Sequence, residues 1–187
     1  MKIGLYGGSF NPVHNAHVFV VESILKRNLV DEIWIIPCKD HPFAKDLAPL
    51  EKRFRMLELA FQKFENVKIS DVENKIPGKS YTLDTIKFLK KNNPNDEFYF
   101  IIGTDILYEF KKWHNYPNLL KEIKFIIHSR PGFEFKKIPE MDFIFINESE
   151  SLSSTKVREL VKKGLSISNI VPNEVERYIY KNHLYKN

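Results

Sequence analysis

Residues 2–25 read KIGLYGGSFNPVHNAHVFVVESIL, a pattern typical of a strand, a loop and a helix. It predicts a short buried strand at 3–6, a pair of glycines, and a helix at 16–29 whose apolar residues fall on overlapping turns. Glycines allow a tight turn and a close approach of backbone N–H groups to a ligand, and a helix N-terminus attracts anions. The spacing is neither GxGxxG nor GxxxxGK[ST]. The stretch therefore predicts a phosphate site of another kind, directly after the first strand.

The rest of the chain alternates between apolar strands and segments with helical periodicity. Strands are predicted at 33–36, 67–72, 98–102, 125–127 and 143–146, and helices at 50–64, 82–91, 105–110, 119–123, 154–163 and 173–182. Apolar strands separated by helices are typical of a parallel sheet with both faces covered. We therefore expect an α/β fold, in which residues 1–187 form a single Rossmann-like, doubly wound domain with a mainly parallel sheet of about six strands.

The composition is that of a folded protein, because 43 % of the 187 residues are hydrophobic. No apolar stretch approaches the roughly 18 residues that span a bilayer, and glycines interrupt the N-terminus before a signal-peptide core could form. Cys38 is the only cysteine, which excludes an internal disulfide bond. We expect its thiol to be half-buried at a strand end. These features predict a soluble, cytoplasmic protein.

The formal net charge of +5 suggests an anionic partner. That partner is either a nucleic acid or a phosphate-bearing small molecule. The lysines are scattered, however, and compositional bias alone produces such a charge. The charge by itself leaves these alternatives open.

Two histidines, His14 and His17, lie three residues apart at the predicted helix start. Such a pair holds a metal ion, caps backbone groups, or donates N–H bonds to a phosphate. A metal needs a third ligand that no fixed-spacing motif supplies. The adjacent glycines and helix N-terminus favour phosphate binding.

The sequence SSTKVR at 153–158 is the second candidate phosphate site. Hydroxyl groups just before a helix cap it and leave N–H groups for an anion, and Arg158 lies one turn into that helix. An isolated Ser-Ser-Thr is more often a plain helix cap.

The two segments together resemble the nucleotidyltransferase superfamily, whose signatures are GSFxPxHxGH and SSTxxR. The resemblance implies that His14, His17 and Arg158 are catalytic and contact the ATP phosphates. It departs at Ala16, where the superfamily more often has glycine. The residues that it implies for ATP binding are Gly7, Gly8, Ser9, Phe10, Gly103, Asp105, Ser153, Ser154 and Thr155.

The middle of the chain resembles one family within that superfamily, the bacterial nicotinate mononucleotide adenylyltransferases. The matching segments are SYTLDT at 80–85, IGTD at 102–105 and WH at 113–114. The resemblance implies that Tyr81, Thr82, Trp113 and His114 line the pocket for the nicotinate, and that Asp105 contacts the ATP ribose or adenine. For Trp113, a core aromatic is the alternative.

The loop after the second predicted strand resembles that family less well. The family often has Pro-Pro-His-Lys there, binding the acceptor phosphate, whereas this chain has KDHPFAK at 39–45. His41 and Lys45 are the candidates for the acceptor phosphate, with Lys39 as an alternative.

The resemblance implies transfer of AMP from ATP to nicotinate mononucleotide, which gives deamido-NAD and pyrophosphate in NAD biosynthesis. Mg²⁺ is expected on the ATP phosphates and not in a dedicated protein site, since Mg²⁺ commonly binds through phosphates and water. Neither a nucleic acid nor a membrane is an expected partner, and the chain is a monomer or a homo-oligomer. The alternatives are phosphopantetheine adenylyltransferase, which shares the two end signatures, a basic nucleic-acid-binding protein and a nonenzymatic nucleotide sensor.

Overall fold

The computed structural model describes residues 1–39, 47–79 and 81–186. These residues form a six-stranded sheet in the order β3-β2-β1-β4-β5-β6, and every neighbouring pair is parallel. The expected α/β, Rossmann-like fold is confirmed. The strands are β1 (Lys2–Gly8), β2 (Glu32–Pro37), β3 (Val67–Ile69), β4 (Glu97–Gly103), β5 (Lys124–His128) and β6 (Phe143–Ile146).

The helices follow the predicted segments, with ends that differ by up to three residues. They are α1 (Asn15–Lys26), α2 (Leu50–Phe61), α3 (Thr82–Asn92), α4 (Ile106–Glu109), α5 (Tyr116–Glu122), α6 (Ser154–Lys162) and α7 (Asn173–Lys181). None of the helices in the described ranges is long and apolar enough to cross a membrane.

The third strand is shorter than predicted. It ends at Ile69, and a 3₁₀ helix at Val72–Lys75 begins where the last residue of the predicted strand would lie. The Ser70 hydroxyl accepts a bond from the Val72 backbone N–H at 3.3 Å. Serine side chains that bond to nearby backbone groups favour turns over strands, which accounts for the early end.

Alternation along the strands divides the core between the two faces of the sheet. Ile3 and Leu5 of β1 pack with α3, α4 and α5 on one face. Tyr6 of β1, with Ile33 and Ile35 of β2, packs with α1, α2, α6 and α7 on the other face. The sheet is therefore covered on both sides, as a doubly wound fold requires.

The strand order reverses between β1 and β4. The chain moves outward from β1 to β2 and β3, and then returns to the other side of β1 to form β4, β5 and β6. In open α/β sheets, ligands bind beyond the carboxyl ends of the strands at this reversal. The candidate site therefore lies beyond Gly8 and Gly103, where β1 and β4 end.

Candidate active site

The two glycines after the first predicted strand do not form a turn. Gly7 and Gly8 are the last residues of β1 and pair with Ile36 and Pro37 of β2, so the predicted glycine turn is wrong. A Cβ on Gly8 would lie 3.2 Å from the Phe10 ring, so close packing against Phe10 explains why a glycine occupies this position. The backbone bends later, at Phe10, where φ is 45°.

The carbonyl groups in the loop after β1 are held by donors from elsewhere in the chain. The Gly8 carbonyl accepts a hydrogen bond from the Cys38 backbone N–H at 2.9 Å. Cys38 follows β2 directly and is half-buried, as predicted. The Asn11 carbonyl accepts from Arg158 Nη1, and the Pro12 carbonyl accepts from Ser154 Oγ, both at 2.8 Å. The loop and α6, about 140 residues apart, therefore meet at one place.

Arg53 of α2 holds the same loop, and sequence reasoning missed it. Its side chain is 1 % exposed and donates to the carbonyls of Ser9, Cys38 and Ala48, each at 2.9 Å. It thereby joins the segment after β1 to the segment after β2. An arginine on the same helix face as Met56 and Leu57 was the available signal, because a charged residue in a buried stripe needs partners.

His14 and His17 lie together at the start of α1. Their rings stack with centroids 3.8 Å apart, and the His14 backbone N–H donates to His17 Nδ1 at 3.1 Å. A neutral imidazole that accepts at Nδ1 carries its proton on Nε2. His17 therefore caps the backbone with one nitrogen, which is one of the three expected roles, and keeps an N–H donor on the other.

Both histidines are held in the neutral form. Burial, with a smaller effect from the Arg130 charge, lowers the pKa of His14 to about 3. Burial also lowers the pKa of His17 well below its usual range, and the nearby His14, Arg130 and His128 act in the same direction. The pair therefore offers uncharged N–H donors at neutral pH.

The histidines line a cleft together with the end of β5. Tyr6, Ala16, His128, Arg130 and Glu150 are among the other residues of its wall. Arg130 was not predicted. The rule that sites lie beyond the carboxyl ends of parallel strands, applied to the fifth strand, would have found it.

Asp105 lies just after the end of β4, next to Arg130 of this cleft. Its Oδ2 lies 3.3 Å from Arg130 Nη1, while its Oδ1 is buried and has no hydrogen-bond partner among the described residues. A Cβ on Gly103 would lie only 2.4 Å from that Oδ1. Gly103 therefore leaves room for the carboxylate, in addition to any room that it leaves for a ligand.

At the N-terminus of α6, the three hydroxyl residues have different partners. Ser153 Oγ accepts a hydrogen bond from the Lys156 backbone N–H at 3.2 Å, which confirms the predicted helix cap. Ser154 Oγ donates to the Pro12 carbonyl in the loop after β1. Thr155 Oγ1 accepts from Arg158 Nη2 at 3.3 Å. Arg158 has five N–H donors, so these contacts leave it with donors for an anion.

Several of the residues expected to bind the acceptor lie together at the start of α3. The Tyr81 and His114 rings stack with centroids 4.1 Å apart, next to Thr82. Trp113 is half-buried, and the centroid of its ring lies 5.4 Å from that of Phe110. This agrees in part with the alternative prediction that Trp113 is a core aromatic. His41 and Lys45 lie outside the described residues, and the alternative, Lys39, is exposed.

Known proteins resemble this chain in sequence and in fold. Residues 5–160 match the model of the family described as cytidylyltransferase-like, so the fold and site define a nucleotidyltransferase. Nicotinate-nucleotide adenylyltransferase of Bacillus subtilis (strain 168) is 37 % identical over 187 residues, which cover 99 % of this chain and 98 % of that protein. The chain belongs to the nicotinate-nucleotide adenylyltransferase family.

Solved structures extend the similarity. Plasmodium falciparum nicotinic acid mononucleotide adenylyltransferase complexed with NaAD has a TM-score of 0.88 and 26 % identity, covering 98 % of this chain and 97 % of that one. The same Plasmodium enzyme complexed with APC has a TM-score of 0.87, with 98 % of this chain and 96 % of that chain covered.

The low pKa of His14 predicts a loss of stability in acid. In the unfolded chain His14 titrates near 6.5, whereas in the folded chain it stays neutral down to about pH 3. Between these values the unfolded state binds more protons, so the free energy of unfolding falls as the pH is lowered. We expect His14 to contribute a loss of about 2 kcal/mol between pH 7 and pH 5 in urea denaturation.

The His14→Asn variant should lose less stability over that pH range than the unsubstituted protein. His183→Asn is the matched control, because His183 is exposed on the surface. Equal acid sensitivity of the His14→Asn variant and the unsubstituted protein would contradict the assignment of His14 as a buried neutral group.

Proposed function

We propose that this site transfers AMP from ATP to nicotinate mononucleotide, giving deamido-NAD and pyrophosphate, in NAD biosynthesis. The observation that carries the proposal is the meeting of His14, His17 and Arg158 around one loop at the reversal of the sheet. These groups include neutral N–H donors and one fixed cation, which suit an anion that gains charge during a reaction.

The ATP phosphates would lie over the loop after β1 and the start of α1. His17 Nε2 carries a proton and can donate to a phosphate oxygen, since Nδ1 is occupied by the His14 backbone. Gly7, Gly8, Ser9 and Phe10 would provide the backbone of this site, while Ser153, Ser154 and Thr155 would provide its other wall. The unpartnered Oδ1 of Asp105 suits a hydroxyl donor such as that of a ribose.

The chemical step needs no general base. The acceptor phosphate is mostly dianionic at neutral pH, because its second pKa is about 6. One of its oxygens attacks the α-phosphorus of ATP in line, the bond from that phosphorus to the β-bridging oxygen breaks, and pyrophosphate leaves with the electron pair. His14, His17, Arg158 and Arg130 would align the two anions and stabilise the added charge.

Mg²⁺ is proposed as part of the substrate, bound to the ATP through phosphate oxygens and water. Within residues 1–39, 47–79 and 81–186, no group of three or more His, Cys, Asp or Glu side chains is placed to hold a metal ion. The phosphates of ATP would supply the ligands instead.

The nicotinate would bind beyond the ends of β1 and β4, on the face of the sheet that α3 covers. The first turn of α3, which begins at Thr82, offers backbone N–H groups to the nicotinate carboxylate. The stacked pair of Tyr81 and His114 and the exposed part of Trp113 would provide flat surfaces for the pyridinium. His41 and Lys45 stay predictions for the acceptor phosphate.

We infer that residues 1–187 act as one domain in the cytoplasm, without a nucleic-acid or membrane partner. The oligomeric state, monomer or homo-oligomer, would be measured by light scattering.

A pyrophosphate-release assay tests the reaction and the acceptor. We expect turnover with ATP and nicotinate mononucleotide, slower turnover with the amide analogue, and none with phosphopantetheine. Preference for phosphopantetheine would replace the proposal with the coenzyme A pathway enzyme. The absence of pyrophosphate with every acceptor would overturn the enzymatic assignment.

Replacing His17 tests the ATP end of the site. We expect His17→Ala to lower kcat about 10²–10³-fold, since it removes a donor to the transferring phosphoryl group, and to change the KM for nicotinate mononucleotide little. Glu22→Ala, at an exposed position further along the same helix, should retain full activity. A His17→Ala enzyme with near-normal kcat would remove His17 from the catalytic groups.

Replacing Trp113 tests the acceptor end. We expect Trp113→Ala to raise the KM for nicotinate mononucleotide about tenfold and to change the KM for ATP less than twofold. The reason is that the indole would contact the pyridinium and no part of ATP. Trp113→Phe, which keeps an aromatic ring against Phe110, should show a smaller increase. If both KM values rise together, Trp113 serves only the core.

A further inference from the structure

The chain after α7 returns to the loop after β1 by an uncommon backbone path. His183 and Tyr185 adopt left-handed conformations, with φ of 51° and 63°, and neither is glycine. The Leu184 backbone N–H donates to the Ile179 carbonyl at 3.0 Å, and the Leu184 and Tyr185 side chains pack against the core face that holds α1 and α6. Left-handed residues persist only where surrounding contacts hold them.

The contact that this path makes is a hydrogen bond across 174 residues of sequence. The Tyr185 hydroxyl donates to Asn11 Oδ1 at 2.8 Å. The Ala48 backbone N–H also donates to that atom, at 3.1 Å, which identifies it as the amide oxygen because a backbone N–H can only donate. Burial raises the pKa of Tyr185, so its hydroxyl keeps the proton that it donates.

Asn11 is the residue through which this bond reaches the candidate site. Its side chain is held by Tyr185 and Ala48, and its carbonyl accepts from Arg158 Nη1 at 2.8 Å. Asn11 is 2 % exposed, so water cannot readily replace a lost donor. Tyr185 therefore helps to hold the Asn11 side chain in place. The Asn11 carbonyl in turn holds the Arg158 guanidinium, so the two bonds connect Tyr185 to Arg158.

We propose that Tyr185 is a positioning residue for Arg158, acting through Asn11, and that its hydroxyl sets where the guanidinium meets the transferring phosphate. The proposal rests on the proposed function, since it concerns the rate of that reaction. Tyr185 itself touches no substrate in this scheme.

Tyr185→Phe tests the proposal by removing one oxygen atom and keeping the ring. We expect kcat to fall about three- to tenfold, the effect of one lost buried hydrogen bond, with the KM for nicotinate mononucleotide within about twofold. Tyr180→Phe is the matched control, because it removes a tyrosine hydroxyl that bonds to the Leu165 carbonyl at 3.4 Å, away from the loop. Both variants are compared at a temperature where urea denaturation shows them fully folded.

A double-mutant cycle with Arg158→Met separates positioning from general structural support. If Tyr185 acts through Arg158, Tyr185→Phe should lower kcat no further in the Arg158→Met background. The same fold-loss in both backgrounds, or an unchanged kcat in Tyr185→Phe alone, would overturn the proposal while leaving the proposed function intact. Absence of pyrophosphate release by the unsubstituted protein would overturn the proposed function itself.

Discussion

The backbone carbonyls after β1 are the constraint on which the site depends. Those of Gly8, Ser9, Asn11 and Pro12 each accept a hydrogen bond, and three of the four donors are side chains from α2 or α6. A carbonyl oxygen repels phosphate, so a phosphate site at this loop needs its carbonyls bonded to donors. Arg53 and Arg158 meet that need with charged donors, which bond more strongly than neutral ones. The loop is therefore shaped by donors from α2 and α6 and not by flexible glycines.

Burial, together with the charges around the cleft, explains why its histidines are neutral. Arg130 lies near enough to His14 and His17 to lower the pKa of both, in addition to the effect of burial. A bound anion would act in the opposite direction, since a nearby negative charge favours the protonated imidazole. The free site thus avoids buried positive charge on its imidazoles, while the arginines provide a constant attraction.

Much of the fold is predictable because the strands of a doubly wound sheet are short apolar runs between helical segments. The third strand shows the limit, since Ser70 ends it by bonding to Val72 and alternation of residue types does not reveal such a bond. At the site, His14 and Arg158 are predictable because their motifs are local, and the structure places them at one loop. Arg53 was missed because its role depends on three carbonyls in different segments, two of them distant in sequence. The residues in 40–46 stay predictions, since that segment lies outside the described ranges.

The division of the core between two faces gives a reason for the order of motifs along the chain. The helices α1 and α6, whose residues we assign to ATP, pack on one face of the sheet, and α3, assigned to nicotinate, packs on the other. The two substrates would therefore approach the crevice between β1 and β4 from opposite faces, and their phosphates would meet where the strands end. In-line transfer needs an attacking and a leaving oxygen on opposite sides of the phosphorus. A sheet that reverses its strand order provides that opposition, because α1 and α6 cover one face beside this edge and α3 covers the other.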